Sequence, residues 1–239
     1  MLCFMASPAR DTELVQIVDA SLAEAAQRAG PWLVCRPGCT QCCYGAFAIN
    51  QLDAQRLRAG MDALQTAQPE RAAEVERRAQ RWIGEFGRDF PGDFATGLLG
   101  VTDAEQARFE EFANDAPCPA LDPATGLCDL YESRPMTCRV FGPPVRTDTG
   151  DGTRALGHCE LCFAGAGAEQ VAACEMPVPN ELEQSLVDEL EREGVRGETV
   201  VAFALLKEPR RLLRFGGGTP PSGLKPCADP GKRRRRDDC

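Results

Sequence analysis

Four thiols within nine residues constrain this chain more than any other feature: Cys35-Arg36-Pro37-Gly38-Cys39-Thr40-Gln41-Cys42-Cys43. The spacing C-x3-C-x2-C-C lets one loop turn several sulfurs toward a common point. A tetrahedral ion demands this, since Zn–S bonds of about 2.3 Å set neighbouring sulfurs roughly 4 Å apart. Pro37 fixes φ and Gly38 tolerates positive φ, which suits a tight turn. Adjacent side chains are expected to diverge, so Cys42 and Cys43 should serve two metals, or one ligates while the other packs.

The chain carries thirteen cysteines in 239 residues. An odd number cannot pair off within one molecule, and clustered thiols in a reducing compartment point to metal before disulfides. The first residues lack a basic n-region and a long enough apolar run for a secretory signal, so the expected location is the cytoplasm. No apolar stretch reaches membrane-spanning length, which excludes a membrane partner by this reading. The formal charge of −9 is uneven: residues 207–239 are basic and the remainder strongly acidic. An acidic body repels phosphate backbones, so nucleic acid is not the expected main ligand. The basic end lacks interleaved aromatics and reads as a solvated, disordered tail.

Along the chain, Leu14, Val18 and Leu22 predict an amphipathic helix over 11–29, ended by Gly30-Pro31. Asn50 is placed to cap a helix over 51–66, which Gly60 weakens. Pro69 starts a third helix with Ala72, Val75, Ala79, Trp82 and Phe86 buried, and Glu74 paired to Arg78 on its solvent side. Residues 87–100 read as a loop. Thr102 and Glu105 form a capping box that opens a helix to about 114. A second cysteine block follows, with Cys118, Cys128 and Cys138. The run after Phe141 predicts a hairpin turning at 148–152, whose return strand leads into His158 and the knuckle Cys159-x2-Cys162. Asn180 should cap a helix with Leu182, Leu186 and Leu190 inside, followed by an apolar helix over 198–207. The expected fold is mostly α, with irregular cysteine loops and a small β-hairpin, stapled by metal. The expected organisation is an N-terminal helix over 1–30, a cysteine-cluster domain over 31–175, C-terminal helices over 176–207 and the tail over 208–239.

Cys35-x3-Cys39-x2-Cys42-Cys43, then Cys118-Pro119, Gly126-x-Cys128, Tyr131-x2-Arg134-Pro135-x2-Cys138-Arg139 and Phe141, resembles the YkgJ-like cysteine-cluster family, a zinc- or iron-chelating domain. The resemblance covers about residues 31–163. It implies ligand roles for Cys35, Cys39, Cys42, Cys43, Cys118, Cys128 and Cys138, to which spacing adds Cys159 and Cys162. It also implies a relation to flagellin lysine methylases, whose cluster is described as holding iron and sulfur. The expected cofactor is therefore zinc or iron, a [4Fe–4S] cluster included, and the expected partner is a metal ion, with a protein partner or substrate as an addition.

Thiolate ligation suits zinc and iron alike, so spacing leaves the metal open. Cys35, Cys39 and Cys42 also match the triplet of radical S-adenosylmethionine enzymes, but the aromatic before the third cysteine is Gln41 here, and repeated βα units do not follow. A cysteine nucleophile needs a base, and the lone histidine, His158, reads most simply as a loop residue. Tyr131 and Phe141 read as core aromatics around the metal, and Cys3, Cys174, Cys227 and Cys239 as free thiols. Two functions stay open: a metal-binding protein with structural, carrier or maturation duties, or an iron–sulfur enzyme (or its partner) that modifies protein side chains.

Overall fold

The computed structural model describes residues 8–148 and 154–206. The tail, Cys3, Cys227, Cys239 and all but the first residue of the turn expected at 148–152 lie outside the described residues. Helices α1 (Asp11–Ala29), α2 (Gln51–Ala67) and α3 (Pro69–Phe86) follow the predicted periodicity within a residue. Helix α2 starts where Asn50 accepts a 2.9 Å bond from the Asp53 N–H, satisfying a first-turn donor that the helix itself cannot. Thr102 and Glu105 form both bonds of the predicted capping box of α4 (Asp103–Glu110), which ends earlier than expected.

Three antiparallel hairpins replace the single one expected among the described residues. They are β1 (Gly92–Asp93) with β2 (Leu98–Leu99), β3 (Leu121–Asp122) with β4 (Leu127–Cys128), and β5 (Val145–Asp148) with β6 (Arg154–Gly157). The first lies in what reads as a loop. α5 (Met136–Val140) and α6 (Ala168–Ala173) are short. α7 (Asn180–Arg192) begins at Asn180, whose side chain caps nothing; Pro179 holds the cap position instead. The last helix shrinks to α8 (Val201–Ala204), an apolar plug with every residue buried.

Helices α2, α3 and α8 enclose the main core, where Trp82, Phe90, Phe112 and Phe203 meet edge-on or tilted. A second core joins α1 and α7 to Leu52 and Met136. Charges bind these layers as well. Arg56 donates to Asp11 at 2.6 Å and to Asp53 at 2.5 Å, and Asp53 also accepts from the Met136 N–H at 2.9 Å. Asp53 thereby caps α5, the helix that carries Cys138. Arg139 is fully buried and donates to Asp19 of α1 at 2.6 and 2.8 Å and to the Glu132 carbonyl.

Gly60 does not break α2, and the reason is packing. A Cβ there would sit 2.4 Å from Ser133 Oγ and 2.5 Å from Ser133 Cβ, so only glycine lets the Tyr131–Ser133 turn approach. Gly60→Ala should therefore destabilise the chain by about 1–2 kcal/mol, because overpacking outweighs a propensity gain of about 1 kcal/mol. Denaturant unfolding of Gly60→Ala and of Gly60→Ala/Ser133→Gly checks this. The double variant should recover, and a stabilised single variant would contradict the account.

Candidate metal centre

No residue from Gly30 to Ala48 is buried, so the first cysteine loop is shaped by backbone bonds rather than by a core. The Cys39 N–H bonds the Arg36 carbonyl at 2.9 Å across Pro37-Gly38, with Gly38 at φ +88°. Residues Gln41–Cys43 then form a 3-10 turn. Its exit pairs with the second block: the Cys118 N–H bonds the Cys43 carbonyl at 2.7 Å, and the Gly45 N–H bonds the Ala116 carbonyl at 2.9 Å. The β3–β4 register sets Cys128 opposite Leu121. The knuckle is tied in separately, by Cys159 N–H to the Gly142 carbonyl at 3.2 Å and Phe163 N–H to the Trp32 carbonyl at 2.9 Å. Gly142, at φ +129°, lies flat against Cys35, where a Cβ would come within 3.1 Å of its sulfur.

The nine predicted cysteines fall into two groups. Cys35 Sγ lies 3.8 Å from Cys162 Sγ across 127 residues of sequence. That is too long for a disulfide, at about 2.05 Å, and close to the roughly 4 Å edge of a tetrahedral zinc–sulfur site. The Cys35 residue is exposed, but its sulfur is tucked against its neighbours. Burial and the charges of Cys162, Cys159 and Cys39 push the thiol up to about 12. Burial also raises Cys159, and the charge of Cys162 adds to it.

Cys42, Cys43, Cys118, Cys128 and Cys138 make the second group. Cys42 and Cys43 stay close enough to shift one another's titration. Cys43 holds Cys42 down to about 6, Arg134 helps, and Cys43 is itself raised. Burial pushes Cys118 up to about 12, with repulsion from Cys128 and Cys42 adding to it. Cys138 rises for the same reasons, burial first, then the charges of Cys118, Cys42 and Cys128. These thiols cannot all ionise without a cation among them. Among the described residues, no three Cys, His, Asp or Glu side chains yet stand in a closed set around one point. The groups therefore fit a soft metal in donor type and in one sulfur–sulfur edge, and closing the set requires the loops to draw inward.

Arg139 and Arg134 both reach Asp19, at 2.6 and 3.7 Å, and Arg134 also stacks 3.9 Å over Tyr131 beside the second group. Other assignments change. Tyr131 and Phe141 are not core aromatics; they are 56% and 39% exposed. Val34, Tyr44, Leu127 and Leu161, each beside a cysteine, are exposed as well. Cys174 is buried beside Cys159 and Cys162 in a third small core. His158 Nδ1 lies 3.0 Å from the Cys159 carbonyl. Arg78 leaves Glu74, which pairs with Arg77, and turns to Asp129 and the Pro119 carbonyl. No local pattern signals that choice, because its partners lie 41 and 51 residues away.

Helical scaffold, irregular loops and thiols gathered from four segments together define a cysteine-cluster domain. The chain belongs to the CxxCxxCC family, described as a zinc- or iron-chelating domain, whose family model matches residues 34–160, more than half its length. The matched span contains every predicted ligand except Cys162. No curated protein and no solved structure matches the chain. No described helix is long and apolar enough to cross a membrane.

Proposed function

We propose that the chain binds zinc or iron at two thiolate centres, one from Cys35, Cys39, Cys159 and Cys162, the other from Cys42, Cys43, Cys118, Cys128 and Cys138. The observation that carries this reading is the sorting of nine cysteines from four segments into a set of four and a set of five. Four thiolates complete one tetrahedral ion, and a closed site of this kind stabilises a fold and leaves no open position for chemistry. The first group has the number of thiols such a site needs, and one sulfur–sulfur edge of its length. The second offers a surplus sulfur and the Arg134 guanidinium, which offsets thiolate charge. The resulting function is that of a metal-binding protein with structural, carrier or maturation duties.

A second reading draws on the exposed side chains of Val34, Tyr44, Leu127 and Leu161 beside cysteines of both groups, which a bound protein would cover. It makes the protein an iron–sulfur enzyme, or the partner of one, that modifies protein side chains, as its resemblance to flagellin lysine methylases implies. Anaerobic purification with metal analysis and a visible spectrum separates the two. Colourless protein with stoichiometric zinc supports the first; brown protein with acid-labile sulfide supports the second. Material that carries neither metal and takes up neither overturns both.

Metal uptake should also release protons. Thiols raised by burial and mutual repulsion hold their protons near neutrality, and an incoming ion must displace them. Apparent affinity should therefore fall as pH falls, with Cys42, already ionised above about 6, contributing least to the slope. Zinc titrations of the reduced chain in weak buffer measure this directly. Uptake without acidification would contradict thiolate ligation.

A further inference from the structure

We infer that Arg78 is a positioning residue for the second thiol group, holding two of its ligand-bearing segments on α3. This rests on the proposed reading of that group as a metal centre. The Arg78 Nε donates to the Pro119 carbonyl at 2.8 Å, next to Cys118. Its Nη2 donates to the Asp129 carboxylate, next to Cys128. A single guanidinium thus spans a neighbour of Cys118, just before β3, and a neighbour of Cys128 in β4. Asp129 is enclosed, with its side chain 2% exposed, and Arg71 of the same helix donates to its other oxygen. Asp129 is pinned a second time by its N–H on the Ala120 carbonyl at 2.8 Å.

The anchor is rigid. Val75, Ala79 and Trp82, within four residues of Arg78, are buried in the main core. The hairpin it holds has strands of two residues each, too short to keep a register unaided. The planar fork of arginine meets two acceptors in fixed directions, which the single ammonium of lysine cannot reproduce. No residue of this clamp is a ligand; it acts through the backbone on either side of Cys118 and Cys128. Groups that orient metal ligands in this way typically alter affinity by about 10- to 100-fold when lost.

The test uses the full reduced chain, stripped of metal and titrated anaerobically with Co²⁺, whose thiolate absorption reports each centre as it fills. Wild type should fill two centres. Arg78→Ala and Arg78→Lys should both weaken one of them about 10- to 100-fold and leave the other unchanged. Arg77→Ala, one residue along and paired only with Glu74 at the surface, should change neither. Amide exchange should rise in Arg78→Ala over residues 117–130 but not over 158–163. Equal Co²⁺ affinities in wild type and Arg78→Ala overturn the clamp while leaving the metal reading intact. Full rescue by Arg78→Lys also overturns it, as does equal loss at both centres. Wild-type protein that takes up no Co²⁺ overturns the metal reading itself, whatever the variants do.

Discussion

Chelator treatment of the metal-loaded, reduced chain is expected to melt residues 33–44 while α1, α2, α3 and α7 stay folded. The first cysteine loop has little else to hold it, since no residue from Gly30 to Ala48 is buried, whereas Ala120, Leu130 and Met136 tie the second block into the cores. Fixing each backbone residue costs about 1–2 kcal/mol. A thiolate zinc site supplies about 10–16 kcal/mol at neutral pH, comparable with the whole stability of an ordinary domain, about 5–15 kcal/mol. The helices, by contrast, share two continuous apolar cores. Hydrogen exchange with and without metal tests this. Protection should collapse in the first cysteine loop, and far-UV circular dichroism should change little. Cys162→Ser should loosen residues 33–39 and 158–163 alone, because it belongs to the first group. Identical exchange in the loaded and stripped chain would remove the case for metal as a staple.

The second large effect is expected at Asp53, which is no ligand itself but caps the helix that carries Cys138. Its side chain is 3% exposed and serves two groups: Arg56 and the Met136 N–H at the start of α5. Asp53→Ala strands a guanidinium that is 7% exposed with Asp11 alone. It also orphans a buried N–H. Removing one member of a buried pair costs about 3–5 kcal/mol, which for a chain of this size lowers Tm by roughly 10 °C. Asp53→Asn keeps an acceptor for Met136 and should lose less. The loss should appear in metal-free protein too, because the network belongs to the scaffold, and uptake at the second group should weaken as α5 shifts Cys138. Thermal unfolding of both variants, loaded and stripped, measures it. A loss under 1 kcal/mol in Asp53→Ala would show that Asp11 suffices for Arg56.

The legible parts of the fold share one property: their causes lie within a few residues. Leu14 and Val18, or Ala72, Val75 and Ala79, announce a helix through their own spacing, and Asn50 announces its start. The Pro37-Gly38 turn is equally local. Arg78 shows the limit. Glu74 one turn back is the partner that spacing suggests, yet the side chain is claimed by Pro119 and Asp129. Tyr131 and Phe141 show another: aromatic residues beside cysteines suggest a core, but Leu130 and Gly142 take the buried places beside them and leave the rings at the surface. Gly60 looks like a flaw in α2 until Ser133 is placed against it.

By itself, the sequence determined that thiols would be concentrated at four points on a mainly helical chain, because periodicity and cysteine spacing are short-range properties. Only the tertiary structure decided how those points combine. It turned Cys35 toward Cys162 while the neighbouring Cys42 and Cys43 joined Cys118, Cys128 and Cys138. That division depends on where the Gly142 and Trp32 carbonyls hold the knuckle and where Cys43 meets Cys118. Such contacts join residues many tens of positions apart, and their geometry exists only once the helices beneath them have packed.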